Sequence, residues 1–300
     1  MTEKKYYYSE IFNSIQGEGT YTGVHTLWLR YFLCNLQCDG FGQIDPTNPD
    51  TYELPYDDFD AMSVNRVEDL PVWSKGCDSS YTWSKKFKHL MGQKTAKDIA
   101  REIVMANMNE HNLAGSFLHP VSNQRSHMCF TGGEPLMKHA QKCSIDILQF
   151  FIDTENIPGS TTFETNGTQK LTDEFKDWWA TSGEDLELFF SLSPKLWTVA
   201  GEKREKAIKP EFVAEYRELS DRGHLKFVLG SEKRQWDELD EVIKLFRDEG
   251  VDYPVFIMPV GAREEEQTAT AGEVAKMAFD RGYNVSGRMH VYLFGNAIGT

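Results

Sequence analysis

The chain has 300 residues, 40% of them hydrophobic and 26% charged, which suits one large or two ordinary soluble domains with a full core. Its formal net charge of −14 repels nucleic acid and anionic membranes as bulk partners. A small anionic substrate remains compatible with this charge where a few local cations offset the field.

No apolar run is long enough to span a bilayer, and the opening MTEKKYYYSE carries neither an apolar core segment nor a small-residue cleavage site. Five cysteines, an odd number without a visible export signal, argue for reduced thiols in the cytoplasm over a disulfide framework.

In chain order, residues 26–33 read as the first strand, followed by a long polar stretch to about Gln93. Thr95 caps a helix, with Asp98 three residues on and Ile99, Ile103 and Ala106 on one face. Residues 127–131 read as a buried strand ending at Gly132-Gly133, and the next helix carries Ala140, Cys143, Ile147 and Phe151 on its apolar stripe. A strand over 161–166, a helix over 172–181 and a strand over 186–192 follow. Next come a helix at about 209–219, a strand over 224–229 and a helix with Leu239, Val242, Ile243 and Phe246 on one face. Two last strands are expected near 254–258 and 289–294, separated by a helix at about 270–281.

Repeated strand–helix units of this length imply an α/β fold, a parallel sheet with helices outside, whose functional loops sit at the carboxyl ends of the strands. Residues 39–76, rich in Asp, Pro and Tyr, break the rhythm and read as an insertion in a single domain spanning 1–300.

Cys34 and Cys38, three residues apart after the first strand, suit a shared metal, although two structural thiols fit the same spacing. A third ligand is not contiguous, because position 41 is Phe41. Cys143 lies on a helical stripe and Cys129 within a strand, both positions that suit packing. Cys77 has a polar, Gly-flanked context and is the best third candidate.

At this point the ordered motifs resemble the 7-carboxy-7-deazaguanine synthase family of radical S-adenosylmethionine enzymes. They run from Glu10-Ile11-Phe12-Asn13-Ser14-Ile15-Gln16-Gly17-Glu18-Gly19 through Arg30, Cys34-Asn35-Leu36-Gln37-Cys38 and Cys77-Asp78-Ser79-Ser80-Tyr81-Thr82-Trp83. Thr131-Gly132-Gly133-Glu134-Pro135-Leu136, Glu164-Thr165-Asn166-Gly167-Thr168, Ser193-Pro194-Lys195 and His290 to Gly295-Asn296 complete the set. Two departures stand out. The cysteine motif is split by residues 39–76, and Gly76 replaces the aromatic residue usual before the third cysteine. Lengthening the loop this much costs about 2–3 kcal/mol of closure entropy, which a folded insert lowers.

The resemblance implies a modified, incomplete TIM-type barrel with the insert between the second and third cluster cysteines. It implies a four-iron–four-sulfur cluster on Cys34, Cys38 and Cys77, whose open iron takes the amino and carboxylate groups of S-adenosylmethionine. Gly76, Asp78, Gly132, Gly133, Glu134, Ser193, Pro194 and Lys195 would bind that cofactor. Ser79, where the family has threonine, would keep a hydroxyl for Mg2+. Ile15, Gln16, Gly17, Arg30, Thr131, His290 and the terminal residue Thr300 would contact a pterin.

The reaction so implied converts 6-carboxy-5,6,7,8-tetrahydropterin to 7-carboxy-7-deazaguanine with loss of ammonia, as a lyase in 7-deazapurine (queuosine) biosynthesis. It would use an electron donor such as a flavodoxin, in a cytoplasmic homodimer. Two rivals stay open here: an activase that installs a glycyl radical on a partner protein, and a non-catalytic zinc-binding interaction protein. The Gln16-Gly17-Glu18-Gly19 and His290 regions disfavour the first.

Overall fold

The computed structural model describes residues 3–295 and 297–299. Among the described residues nine strands form one open sheet: β1 (Lys5–Ile15), β2 (His25–Tyr31), β3 (Gly92–Thr95), β4 (His127–Gly132), β5 (Thr161–Thr165), β6 (Leu188–Leu192), β7 (Gly223–Leu229), β8 (Val255–Pro259) and β9 (Asn284–Val285). Their order is β3-β1-β2-β4-β5-β6-β7-β8-β9. From β2 to β9 all neighbours run parallel, and β1 is antiparallel to both β2 and β3.

Six long helices (Ala96–Ala106, Lys138–Asp153, Asp173–Thr181, Pro210–Leu219, Lys233–Asp248 and Glu264–Phe279) alternate with the strands. The cap read from sequence is present, with Thr95 accepting from the Asp98 amide, and the structure adds a second, Thr172 accepting from the Phe175 amide. Ala140, Cys143, Ile147 and Phe151 are all buried on one helix face, against the outer side of the sheet.

Each strand splits its side chains by period two. Leu27, Leu29 and Tyr31 of β2, Met128 and Phe130 of β4, Leu225, Phe227 and Leu229 of β7 join the core under the helices. The alternate residues, Trp28 and Arg30, Thr131, Glu164, Ser191, Lys226, Val228 and Met258, line a single cavity with Phe12 of β1. A flat sheet from β1 to β8 would span about 29 Å at about 4.8 Å per strand. A cavity of about 330 Å³ touched by seven successive strands therefore requires the sheet to curl around it, as an open barrel.

Three elements differ from the sequence expectation. β1 and β3 were not expected. β1 carries a bulge between Tyr8 and Glu10, so Tyr6 and Tyr8 face the outer core while Glu10 and Phe12 face inward. That change of parity hides the strand from an alternation test. Residues 289–294, expected as a strand, form the helix Met289–Phe294, closed by Gly295 in the left-handed region at φ 67°. Asn284–Val285 occupies the sheet position beside β8 instead.

Residues 39–76 are folded by short helical turns. Tyr56, Ala61, Val67, Leu70 and Trp73 make an apolar cluster of their own, and the cluster continues into Tyr81 and Phe87. The folded unit thus runs past residue 76.

Candidate active site

The cavity opens at the carboxyl ends of the parallel strands. Register sets its inner row: Arg30 lies beside Thr131 across β2–β4, and Glu164 beside Ser191 across β5–β6. Thr131 Oγ1 donates to Glu164 Oε2 at 3.1 Å, and Gln16 Nε2 donates to Glu164 Oε1 at 3.2 Å.

The β1 bulge brings Glu10 opposite Arg30. Arg30 Nε donates to Glu10 Oε1 at 2.6 Å, and the Tyr81 hydroxyl donates to the same oxygen at 2.8 Å. Phe12 and Trp28 stack beside the pair, with ring centroids 5.5 Å apart. Burial alone would lower the Arg30 pKa, yet Tyr81, Glu10 and Asp78 raise it above its ordinary value, so it stays a cation. Its Nη1 reaches Ser79 Oγ at 3.5 Å. The Nε edge is therefore spent on Glu10, and the outer nitrogens face the cavity with Ser79.

The Gln16-Gly17-Glu18-Gly19 turn ties this wall to the far end of the chain. The Met289 amide donates to the Gly17 carbonyl at 2.8 Å. A Cβ on Gly17 would fall 1.8 Å from His290 Nδ1, so only glycine admits the imidazole there. Glu18 accepts from Lys226 Nζ and from Arg288 Nε (3.0 Å), and Arg288 Nη2 donates to Asp78 Oδ2 at 3.1 Å. Burial favours a protonated carboxyl at Glu18, but Lys226 and Arg288 hold it below the usual carboxylate range; Asp78, only partly desolvated with its side chain 44% exposed, is held below that range by Arg288 and Arg30. Burial pushes His290 down to about 4 and His224, on β7, to about 3, so both rings are neutral near pH 7. Arg30, Lys195, Lys226 and Arg288 thus converge on one cavity in a chain of net charge −14.

Cys34, Cys38 and Cys77 are free thiols that open on this cavity and share an apolar cluster with Leu36, Phe41, Ala200 and Ala207. Cys77 gets there through a closed neck. The Gly76 amide donates to the Phe41 carbonyl at 2.7 Å, so the excursion over 42–75 leaves and returns at one point. Cys77 therefore arrives next to position 41. Gln43 clamps the neck, its Nε2 donating to the Asp39 and Glu53 carbonyls at 3.1 and 2.9 Å.

Burial pushes Cys34 and Cys77 up to about 12 and holds Cys38 well above its ordinary value, so a thiolate at any of them needs a cation beside it. The Leu36 amide donates to Cys34 Sγ at 3.4 Å, and Asn166 Nδ2 lies 3.9 Å from the same sulfur. Among the described residues no three His, Cys, Asp or Glu side chains gather tightly enough for a bare metal ion. Cys129 and Cys143 are fully buried in strand and helix, and neither lines the cavity.

Of the other residues singled out from sequence, Ile15, Gln16, Gly76, Asp78, Ser79, Thr131, Gly132, Gly133, Ser193, Lys195 and His290 stand on the wall. Gly17, Pro194 and Glu134 do not. Glu134, expected to offer charge to a cofactor amine, is 1% exposed. It instead accepts from the Leu136 amide (2.9 Å), the Thr165 hydroxyl (2.7 Å) and the Asn166 amide (2.8 Å), tying the β4 end to the β5 end. The double glycine packs against protein as well: a Cβ on Gly133 would lie 2.0 Å from the Leu33 carbonyl oxygen, next to the cysteine loop. Thr300 lies outside the described residues.

Glu164, Lys226, Glu18 and Arg288 were not assigned from sequence. Lys226 had a visible signal, a lone charge inside the apolar β7, since buried lysines are almost always paired. Among the described residues no helix is long and apolar enough to cross a membrane.

No family model matches the chain. It is 25% identical to the 7-carboxy-7-deazaguanine synthase of Rhodopirellula baltica, over 97% of this chain and 88% of that one. It is 24% identical to the protein of the same name from Pyrobaculum aerophilum, over 97% and 95%. The crystal structure of QueE from Escherichia coli superposes with a TM-score of 0.50 at 17% identity, covering 95% of each chain, and shows the same fold.

Proposed function

We infer that the chain belongs to the 7-carboxy-7-deazaguanine synthases and is a radical S-adenosylmethionine lyase that turns 6-carboxy-5,6,7,8-tetrahydropterin into 7-carboxy-7-deazaguanine with loss of ammonia. The observation that carries this reading is the neck at Phe41–Gly76. It returns Cys77 to the place a contiguous motif would give its third cysteine, beside Cys34 and Cys38 on one cavity.

The donor set suits the iron–sulfur cluster that the family implies. Three soft sulfurs lie in an apolar pocket, with an amide directed at one of them, and among the described residues no fourth cysteine reaches the wall. When bound, the cluster with S-adenosylmethionine supplies one-electron reductive chemistry that starts the reaction at the substrate.

This chain's own residues then bind and orient. Arg30, with its Nε edge fixed by Glu10, offers its outer nitrogens to the substrate carboxylate in a planar fork. Glu164 is held by Thr131 and Gln16 and accepts ring N–H groups of the pterin. Neutral His290, with Ile15 and Gln16, completes that edge. Lys195 and Ser193, joined at 2.9 Å, face the cofactor with Gly76, Asp78 and the Gly132–Gly133 backbone. Glu134 supports that loop layer from behind, through Leu136, Thr165 and Asn166. The Ser79 hydroxyl is a hard oxygen donor suited to Mg2+ beside the carboxylate held by Arg30. The insert contributes Trp73 to the cavity wall, and Trp83 of the motif that follows it also lines the cavity. A flavodoxin-like electron donor and a homodimeric assembly complete the proposal.

The test is anaerobic reconstitution, then incubation with the pterin, S-adenosylmethionine and a reductant, with mass analysis of products. We expect 7-carboxy-7-deazaguanine and stoichiometric ammonia. Protein loaded with cluster that leaves the pterin unchanged would refute the assignment.

A further inference from the structure

The loop that carries Cys34 and Cys38 has no regular secondary structure, yet it has to present two sulfurs in a fixed relation. Cys38 adopts the left-handed region at φ 57°, which a side chain disfavours and which persists only when its surroundings over-determine it. The cause of that conformation is on the other side of the loop. The Gln37 and Cys38 amides point the same way and donate to a single oxygen, Glu202 Oε1, at 2.6 and 2.8 Å. Successive amides around a left-handed residue form an anion-binding concavity, and here a side chain of the same protein fills it.

Glu202 is 6% exposed and follows Gly201 in the segment after Ser193-Pro194-Lys195. Its second oxygen accepts from Lys206 Nζ at 3.2 Å. Next door, the Gly40 amide donates to the Ala200 carbonyl at 3.1 Å. Leu36 and Cys38 pack on Ala200 and Ala207. The loop is thus held from behind by the segment after β6, and Glu202 supplies the charged part of that hold.

We propose that Glu202 is a positioning residue for the cluster: its carboxylate fixes the Gln37–Cys38 backbone and so aims the Cys38 sulfur at the cavity. This rests on the reading of Cys34, Cys38 and Cys77 as cluster ligands. A neutral side chain that keeps an oxygen at the same place, as in Glu202→Gln, retains part of the hold. Glu202→Ala leaves the Gln37 amide and the buried Cys38 amide without that acceptor. Lys206 acts only on the outer oxygen.

Two measurements test it. In cluster-free, reduced protein, iodoacetamide labelling of each cysteine is followed by peptide mass analysis. Glu202→Ala should label Cys38 about tenfold faster or more than wild type, with Cys129 equally protected in both as a control for the fold. In reconstituted protein, iron loss to a chelator should accelerate about 10–100-fold in Glu202→Ala, with a changed electron paramagnetic resonance line shape of the reduced cluster. Glu202→Gln should restore the wild-type line shape and part of the retention, and Lys206→Ala should match wild type.

Equal Cys38 labelling, or wild-type cluster spectra and retention in Glu202→Ala, would overturn the proposal alone. A wild-type protein that takes up no iron would overturn the cluster reading and this inference with it. Exposure of Cys129 in Glu202→Ala, with no rescue by Glu202→Gln, would mean that Glu202 holds the fold at large, and would also overturn it.

Discussion

The two walls of the cavity are built in different ways. On the sheet wall, Arg30, Thr131, Glu164, Ser191 and Lys226 sit on strands, and strand register decides which side chains meet. On the capping wall, residues 54–90 have only short helical turns, held by aromatic contacts such as Tyr56–Trp73 and Phe59–Trp73 at 5.9 and 5.3 Å between ring centroids. Groups that must be placed within a fraction of an ångström belong on the first kind of wall. Cys77 is the exception, since it belongs to the cap's end of the chain, and its position is set by the Gly76–Phe41 hydrogen bond rather than by the cap's core. The cap is thus held by its own aromatic core, whereas its neck decides where Cys77 stands.

The largest effect should therefore come from the neck. Cys77→Ala should reduce iron, sulfide and product to background, as should Cys38→Ala, while Cys143→Ala keeps its cluster. Phe41 lines the cavity and packs with the thiols. Adding Phe41→Cys to Cys77→Ala should recover iron above the single variant, measured by iron analysis after anaerobic reconstitution. No recovery would break the claim that the neck places 41 and 77 together.

Much of the sheet wall was legible beforehand. The helix stripes and the β4 to β8 strands follow periods that sequence displays directly, and the cysteine, double-glycine and Ser193-Pro194-Lys195 motifs fall at strand ends. What escaped did so for physical reasons. The bulge of β1 changes parity midway, so neither half looks like a strand. β3, Gly-Gln-Lys-Thr, has no apolar pattern and exists through its pairing with Lys5–Tyr8. The Arg288–Asp78 pair joins residues 210 apart, which no local pattern encodes. Glu134 turns from the cavity to the β5 end, which its motif does not reveal because a motif shows residue type and not side-chain direction. The cap is held by Tyr56, Trp73, Tyr81 and Phe87, whose spacing follows no helix or strand period.

The next effect separates the walls by stability. Trp73, 4% exposed, anchors the cap cluster. Trp73→Ala should cost about 3–5 kcal/mol there. Hydrogen exchange should accelerate over 54–90 and leave β4, β5 and β6 protected. Equal loss of protection in both regions would show one cooperative unit and erase the contrast.

A pH test reaches the sheet wall alone. His224 is buried on β7, bonded to Ser191 Oγ (2.8 Å) and Thr20 Oγ1 (3.0 Å), and burial, then Lys226, lowers it to about 3. A lowered histidine stabilises fully above its unfolded value near 6.5, and that stability is lost as pH falls toward the folded value. Between pH 6.5 and about 4 its share is roughly 3 kcal/mol. Urea unfolding of wild type should weaken over this window, and His224→Asn, although less stable at pH 7, should weaken less. Parallel curves would remove His224 as the cause.

The smallest effect falls where the two walls touch. Ser79 comes from the cap's end of the chain, and its hydroxyl meets Arg30 Nη1 of the sheet wall at 3.5 Å and donates to Asp78 Oδ1 at 3.1 Å. Only the oxygen is needed for either contact or for a hard cation. Ser79→Thr adds a methyl beside a cavity and should change stability by less than about 0.5 kcal/mol, with turnover and its magnesium dependence near wild type. Ser79→Ala should keep the cluster, because no thiol is touched, and lose the magnesium dependence. Should Ser79→Ala respond to magnesium as wild type does, the cation is held elsewhere, and the junction of the two walls serves only to seat Arg30.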